Sequence, residues 1–163
     1  MAAAGDRLAS GADFAEYAAA RRTDLVRVGV LLGSPPEHAA LVADRALALA
    51  RRQWPRLRDD GDLDGTVLDL LLEQRAADRS RWWEGADPVL PPDLSRTLDA
   101  LTVRQRALLA WTALGHAIAE ADHDAAHDAA LQPGLADRVL EVATGLVVPP
   151  PTAAEPEIGR AHV

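Results

Sequence analysis

Residues 13–54 read DFAEYAAARRTDLVRVGVLLGSPPEHAALVADRALALARRQW, and this stretch decides the fold class. Apolar side chains recur at helical spacing on both sides of the sequence GSPP at residues 33–36. Glycine ends a helix readily and proline fits the first turn of the next one. The pattern therefore predicts two helices, over residues 13–32 and 36–54, after an irregular leader at residues 1–10.

The composition favours helices along the whole chain, because it contains 34 alanines and few β-branched residues. All 17 basic residues are arginine, and the net charge of −8 argues against a dedicated nucleic-acid-binding protein. The absence of cysteine excludes disulfides, thiolate metal sites and cysteine nucleophiles. It is also typical of a reducing compartment. No apolar run approaches the roughly 20 residues that span a bilayer, so we expect a soluble cytoplasmic protein without membrane contact.

The rest of the chain predicts an all-α protein of two small helical domains joined by a proline-rich linker. The first domain, residues 11–84, gains a third helix over residues 63–83, whose centre VLDLLLEQR is the most apolar part of the chain. The linker, residues 85–93, reads GADPVLPPD. The second domain is predicted over residues 94–146, and the proline-rich residues 147–163 are predicted to be disordered. The helices of the second domain are expected over residues 94–114, 116–130 and 135–143.

Charge is divided unevenly between the two predicted halves. Residues 1–84 hold 12 arginines and 14 carboxylates, whereas residues 85–163 hold 5 arginines and 11 carboxylates. An anionic partner is therefore expected to meet the first half of the chain.

Two segments resemble the extracytoplasmic-function sigma factors, in particular the small actinobacterial members of that family. The helix HAALVADRALALARRQW, residues 38–54, is similar to the family's A-E-D-L-V-Q-E-A-L helix, which ends in R-R-W. The segment LSRTLDALTVRQRALLAW, residues 94–111, resembles the A-L-P-P-R-Q-R-A-V-L sequence that opens the family's second DNA-binding domain. The resemblance covers about residues 12–115 and consists of two segments in the family's order and spacing.

The resemblance implies a sigma region 2-like domain and a degenerate region 4-like helix-turn-helix domain. Such a protein docks on the RNA polymerase core through its beta-prime subunit, contacts promoter DNA, and needs no catalytic residue and no cofactor of its own. The polymerase-binding positions that the resemblance implies lie on the second helix and are Leu41, Val42, Asp44, Arg45 and Leu49.

The sequence departs from the family where DNA is read. Leu68, Asp69 and Glu73 stand where the family carries two arginines and an asparagine, and carboxylates repel phosphates. The segment HAIAEADHDAAHDAAL, residues 116–131, contains four acids and no arginine, so it lacks base-reading side chains. These departures leave an alternative open. In that alternative the chain is a pseudo-sigma protein-interaction module that binds an anti-sigma factor or another regulator and no DNA.

Two groups that combine arginine with tryptophan are the candidate DNA contacts. Arginine beside an aromatic ring suits a single strand, through phosphate contacts and base stacking. The plainer interpretation is a solvated helix end, with the rings packed in a small core. The candidate residues are Arg51, Arg52, Trp54, Arg56, Arg58, Arg79, Arg81 and Trp82.

A third candidate is a metal site at His116, Glu120, His123 and His127, which would share one face of a continuous helix. Imidazoles and a carboxylate can bind zinc, although an exposed polar stripe is the plainer interpretation. The sequence contains no phosphate-binding glycine loop, no nucleophile elbow and no HExxH motif, so we do not expect an enzyme.

Overall fold

The computed structural model describes residues 2–78, 89–129 and 132–151, and these residues form helices and connecting loops with no strand. The predicted all-α fold class is confirmed. None of the described helices is long and apolar enough to cross a membrane. The helices are α1 (Ala2–Leu31), α2 (Pro36–Arg52), α3 (Trp54–Leu57), α4 (Leu63–Ala77), α5 (Pro92–Asp99), α6 (Val103–Ala113), α7 (His123–Ala129) and α8 (Leu135–Thr144).

Helix α1 is longer than predicted, because it begins at Ala2 and includes the segment expected to be an irregular leader. Alanine-rich segments have a high helix propensity, which accounts for the extension. The helix ends in a Schellman turn, in which Ser34 N donates to Gly29 O and Gly33 N donates to Val30 O. Gly33 adopts φ +108, a conformation that glycine reaches at little cost.

Helix α2 begins at Pro36, as the sequence predicts, and packs closely on α1. A Cβ atom added to Gly29 would lie 2.8 Å from the Cβ of Ala39, so the two backbones approach through a glycine and an alanine. The chain interrupts its helix at Gln53 and resumes it as the short α3, with Pro55 in the first turn.

The third predicted helix ends earlier than expected, at Ala77 instead of Trp83. Asp62 caps its start, because the Asp62 side chain accepts a hydrogen bond from Gly65 N at 3.2 Å. Residues 79–88 lie outside the described residues, and with them residues 85–88 of the predicted linker.

The predicted helix over residues 94–114 is two helices, α5 and α6. Thr102 and Gln105 form a capping box, in which each side chain bonds the backbone N–H of the other residue. This reciprocal pair satisfies two backbone donors and begins a new helix at Val103. The prediction of one continuous helix over residues 94–114 is therefore wrong at Thr102.

The predicted helix over residues 116–130 is also wrong in its first part. Helix α6 ends before Gly115, which adopts φ +95, and a single 3₁₀ turn covers Glu120–Asp122. Among the described residues of this range, 116–129, only His123–Ala129 forms an α-helix. Helix α8 follows closely the range predicted for the last helix.

One hydrophobic core contains residues from both halves of the chain. Helix α1 contacts α2 and α4 from the first half and α6 and α8 from the second. The two halves therefore pack against a shared helix, while their division into two domains stays a prediction. The buried core residues include Leu25, Val28, Leu31, Leu71, Leu98, Leu108, Trp111, Val139 and Ala143.

Two arginines, one from each half, cap the carboxyl end of α1. Arg75 of α4 donates to Leu32 O at 2.8 Å, and Arg106 of α6 donates through Nε to Leu31 O. Arg106 also pairs with Asp99 at 2.8 Å and is 8% exposed. Cations at a helix carboxyl end complement its dipole, so these contacts fix both halves to α1.

Candidate functional site

Trp54, predicted as a base-stacking residue, is part of the core and is 4% exposed. Its ring lies 5.3 Å from the ring of Phe14, edge to face, and 5.4 Å from the ring of Tyr17. Both neighbours belong to α1, so the tryptophan anchors α3 on α1. Because its ring is covered, the interpretation of Trp54 as a nucleic-acid contact is wrong.

The other arginines of the candidate DNA surface differ in their bonding partners and in their exposure. Arg58 forms an ion pair with Asp13 at 2.7 Å, and Arg56 donates to Gln53 Oε1 at 3.3 Å. Arg51 and Arg52 are exposed at the end of α2 and have no ion-pair partner among the described residues. The second predicted group, Arg79, Arg81 and Trp82, lies outside the residues that the structure describes.

A carboxylate next to this surface is already engaged with α1. Tyr17 OH donates to Asp64 Oδ1 at 2.6 Å, and Arg21 Nε donates to the same oxygen at 3.0 Å. Burial raises the pKa of the Tyr17 phenol, and its hydrogen bond to Asp64 raises it further. The pKa of Arg21 is raised, chiefly by its own bond to Asp64, so Tyr17 stays protonated and Arg21 stays charged in this contact.

The predicted polymerase-binding residues of α2 do not share one surface. Val42 is 2% exposed and packs in the core, so its assignment to a docking surface is wrong. Asp44 pairs with Arg22 through two bonds of 2.8 and 3.2 Å. Leu41 and Leu49 are half-buried, and Arg45 is exposed with Nη1 3.9 Å from Asp78 Oδ2. The side chains that remain accessible lie on the part of α2 that α1 and α4 leave uncovered.

An open groove with a volume of about 730 Å³ runs between α1 and α2. The paired Arg22 and Asp44 stand on its wall, and Arg51 and Arg52 stand at the carboxyl end of α2. The sequence did not predict this groove, because it depends on how closely the two helices approach. Its apolar lining includes Phe14, Ala18, Leu47, Ala48 and Pro151.

The chain after α8 returns to α1 and reaches this groove. Arg22 Nη1 donates to Pro149 O at 2.6 Å, and Val148 is half-buried against the core. Pro151, which borders the groove, is the last described residue. Residues 147–151, predicted as the start of a disordered region, therefore have a defined position, and residues 152–163 lie outside the described part of the chain.

The histidine set is arranged differently from the prediction. His116 stacks on Trp111, with ring centroids 3.9 Å apart, and its Nε2 lies 2.7 Å from Asp24 Oδ2 on α1. It borders a cavity of about 470 Å³ together with His123 and His127, whereas Glu120 is not part of the lining. The continuous helical face that the metal site needs is absent, because α7 begins only at His123. Among the described residues no group of three ligands is placed to hold a metal ion.

A buried polar network that the sequence reasoning missed joins the α1–α2 turn to the end of α4. His38 Nδ1 lies 3.0 Å from Ser34 Oγ, and its Nε2 lies 2.8 Å from Asp78 Oδ2. Burial lowers the pKa of His38, against the opposing effect of Asp78. The i,i+4 spacing of Ser34 and His38 was a visible signal, whereas the partner 40 residues away was not.

This network has the group order of a serine hydrolase triad, but it lacks access for a substrate. Ser34 is 2% exposed and His38 is 0% exposed. The three groups therefore act as a structural tie between the helices.

No family model, no curated protein and no solved structure matches this chain.

Proposed function

We propose that the protein is a helical protein-interaction module of transcription regulation, which binds a protein through the α1–α2 groove and does not read DNA. The observation that carries this proposal is the groove itself. It is apolar, open to solvent and bordered by two exposed arginines, Arg51 and Arg52, without an ion-pair partner among the described residues. Open apolar grooves of this kind accept amphipathic segments of other proteins.

The side chains that line the groove indicate which kind of protein segment it can bind. Phe14, Ala18 and Ala48 offer apolar contact area, so the partner supplies apolar side chains. Arg51 and Arg52 favour carboxylates at one end of that segment. The expected partner segment is therefore an acidic amphipathic helix or strand.

The net charge of the chain and the burial of Trp54 argue against DNA as the partner. The chain has a net charge of −8, and Trp54 has no free ring face. Several arginines that a phosphate backbone would need are committed to carboxylates, as in the pairs Arg21–Asp64 and Arg58–Asp13. Binding DNA would require breaking these pairs, which weakens the net attraction.

The resemblance to sigma factors makes the RNA polymerase core, through its beta-prime subunit, the first partner to test. Of the positions that the resemblance assigns to polymerase binding, Asp44 lines the groove, whereas Leu41, Arg45 and Leu49 lie on α2 outside its lining. An anti-sigma factor or another regulator is the alternative partner. The excess of carboxylates in residues 85–163 favours a basic regulator, which would bind that half of the chain and not the groove.

The test measures retention of purified RNA polymerase core by the immobilised chain at about 150 mM salt, where weak surface attraction is screened. We expect retention, and we expect Arg51→Glu to reduce it about tenfold or more because it places like charges together. Arg56→Glu is the matched control, since Arg56 is exposed, makes no ion pair with a described residue and does not border the groove. Equal losses in both variants would contradict groove docking.

A second arm of the experiment addresses DNA directly. Fluorescence anisotropy with labelled single-stranded and duplex promoter oligonucleotides is expected to show no binding at the same salt. Binding that Arg51→Glu and Arg56→Glu weaken alike would contradict the protein-only proposal and support sigma-like DNA contact through the arginine cluster.

A further inference from the structure

The described chain leads directly into the groove that the proposed partner uses. Pro149 O accepts a hydrogen bond from Arg22, whose other nitrogens hold Asp44 on the groove wall. Pro151, two residues later, lies against that wall. The described part of the chain therefore ends at the edge of the groove.

We propose that residues 152–163, TAAEPEIGRAHV, occupy the α1–α2 groove and compete with the partner for it. This inference rests on the proposed function, because the groove is the docking surface in both. The segment carries the chemistry expected of the partner, since Glu155 and Glu157 stand beside the apolar Ile158. Its carboxylates complement Arg51 and Arg52, the arginines at the far end of the groove.

The reach of the segment fits the length of the groove. From Asp44 to Arg52 the helix rises about 12 Å, at about 1.5 Å per residue. An extended chain covers about 13 Å from Pro151 to Glu155 and about 20 Å to Glu157, at about 3.3 Å per residue. Both carboxylates can therefore reach the two arginines without any change in the described helices.

Because residues 152–163 are covalently attached to the chain, a weak interaction is sufficient for them to occupy the groove. A segment attached by a short linker experiences an effective concentration in the millimolar range. A segment of a dozen residues with two ion pairs therefore fills the groove appreciably even at a millimolar intrinsic dissociation constant. An external partner must then bind more tightly than the segment, which sets a threshold for docking.

The absence of cysteine from the chain allows a clean crosslinking test in the full-length protein. In the double variant Ala48→Cys/Ile158→Cys the two introduced thiols are the only ones, and oxidation is expected to give an intramolecular disulfide. Ala76→Cys/Ile158→Cys is the matched control, because Ala76 is exposed on α4, outside the groove lining. Crosslinking at the same rate in both would overturn the proposal.

Charge reversal separates a specific contact from chance encounter. Adding Arg51→Glu and Arg52→Glu to the Ala48→Cys/Ile158→Cys chain is expected to slow disulfide formation about fivefold, the size of two exposed ion pairs. Adding Glu155→Arg and Glu157→Arg as well is expected to restore the rate. A rate insensitive to these charges would overturn the proposal.

Polymerase retention then separates this inference from the proposed function. The oxidised chain, with its groove filled, is expected to retain at least tenfold less core than the same chain after reduction. Charge-dependent crosslinking without any retention of core would support the segment's position and refute the polymerase as partner. Equal retention by the oxidised and reduced chains would overturn the competition.

Discussion

The α1–α2 hairpin is closed and polar at its turn and open and apolar at its other end. At the turn, the last carbonyls of α1 accept bonds from Arg75 and Arg106, and the buried His38 bonds to Ser34 and Asp78. At the other end, the groove carries apolar side chains and exposed arginines. The difference teaches that the turn region stabilises the protein, because its polar groups bond to one another, whereas the groove exposes apolar side chains of the kind that a binding segment covers.

The largest expected effect concerns Trp54, which packs on Phe14 at the groove end of the hairpin and which the sequence predicts as a DNA contact. Trp54→Ala is expected to lower the free energy of unfolding by about 3 kcal/mol or more, because it removes a buried ring packed on Phe14 and Tyr17. Urea denaturation followed by circular dichroism measures it. A decrease of less than about 1 kcal/mol in the free energy of unfolding would indicate that the Trp54 ring is exposed, and would support its interpretation as a base-stacking residue.

The next largest effect is expected at the carboxyl end of α1, where Arg75 and Arg106 bond to the backbone. Arg106→Gln is expected to cost about 2 kcal/mol, because it leaves Leu31 O at the end of α1 without its charged donor. Arg96→Gln is the control, since Arg96 is exposed on α5, and its cost should stay within about 0.5 kcal/mol. A similar loss of free energy of unfolding in both variants would mean that the Arg106 contact does not hold the two halves of the chain together.

A smaller effect is the pH dependence of the His38 network. The pKa of His38 is lowered in the folded protein, so the unfolded chain binds more protons near its ordinary value of 6.5. Stability from this group is therefore present above pH 6.5 and is lost as the pH falls below it. The destabilisation caused by His38→Gln is expected to shrink on acidification from pH 7.5 to pH 5.5. Thermal melts of both chains across that range test this, and a constant difference would show that His38 does not titrate differently on folding.

The smallest effect on stability is expected in the groove. Ala48 is exposed on α2, so Ala48→Glu should change the free energy of unfolding by no more than about 0.5 kcal/mol. A loss above about 2 kcal/mol in urea denaturation would show that the groove wall belongs to the core and is not a free binding surface.

The sequence predicted most of what depends on local chemistry. Alanine and leucine content predicted an all-α fold, and the proline pair at residues 35–36 placed the start of α2 correctly. The break before α6 was missed although Thr102 and Gln105 form a capping box that a sequence can reveal. The start of α6 therefore depends on a local signal, as the start of α2 does.

What the sequence did not predict depends on distant partners. Arg106 bonds to the carbonyl of Leu31, 75 residues earlier, and His116 pairs with Asp24 across 92 residues. Such contacts follow from packing and leave no spacing to read in one sequence. The same holds for Trp54, whose arginine neighbours resembled a nucleic-acid surface while its ring faced two aromatic residues of α1.

The central claim, that the α1–α2 groove binds a protein, is tested most directly by the affinity of RNA polymerase core for the wild-type chain and for Ala48→Glu. Biolayer interferometry gives both dissociation constants under one condition. We predict at least a tenfold weaker affinity for Ala48→Glu, because a carboxylate would be buried in the apolar contact and would repel an acidic partner segment. Equal affinities for the two folded chains would contradict docking in the groove.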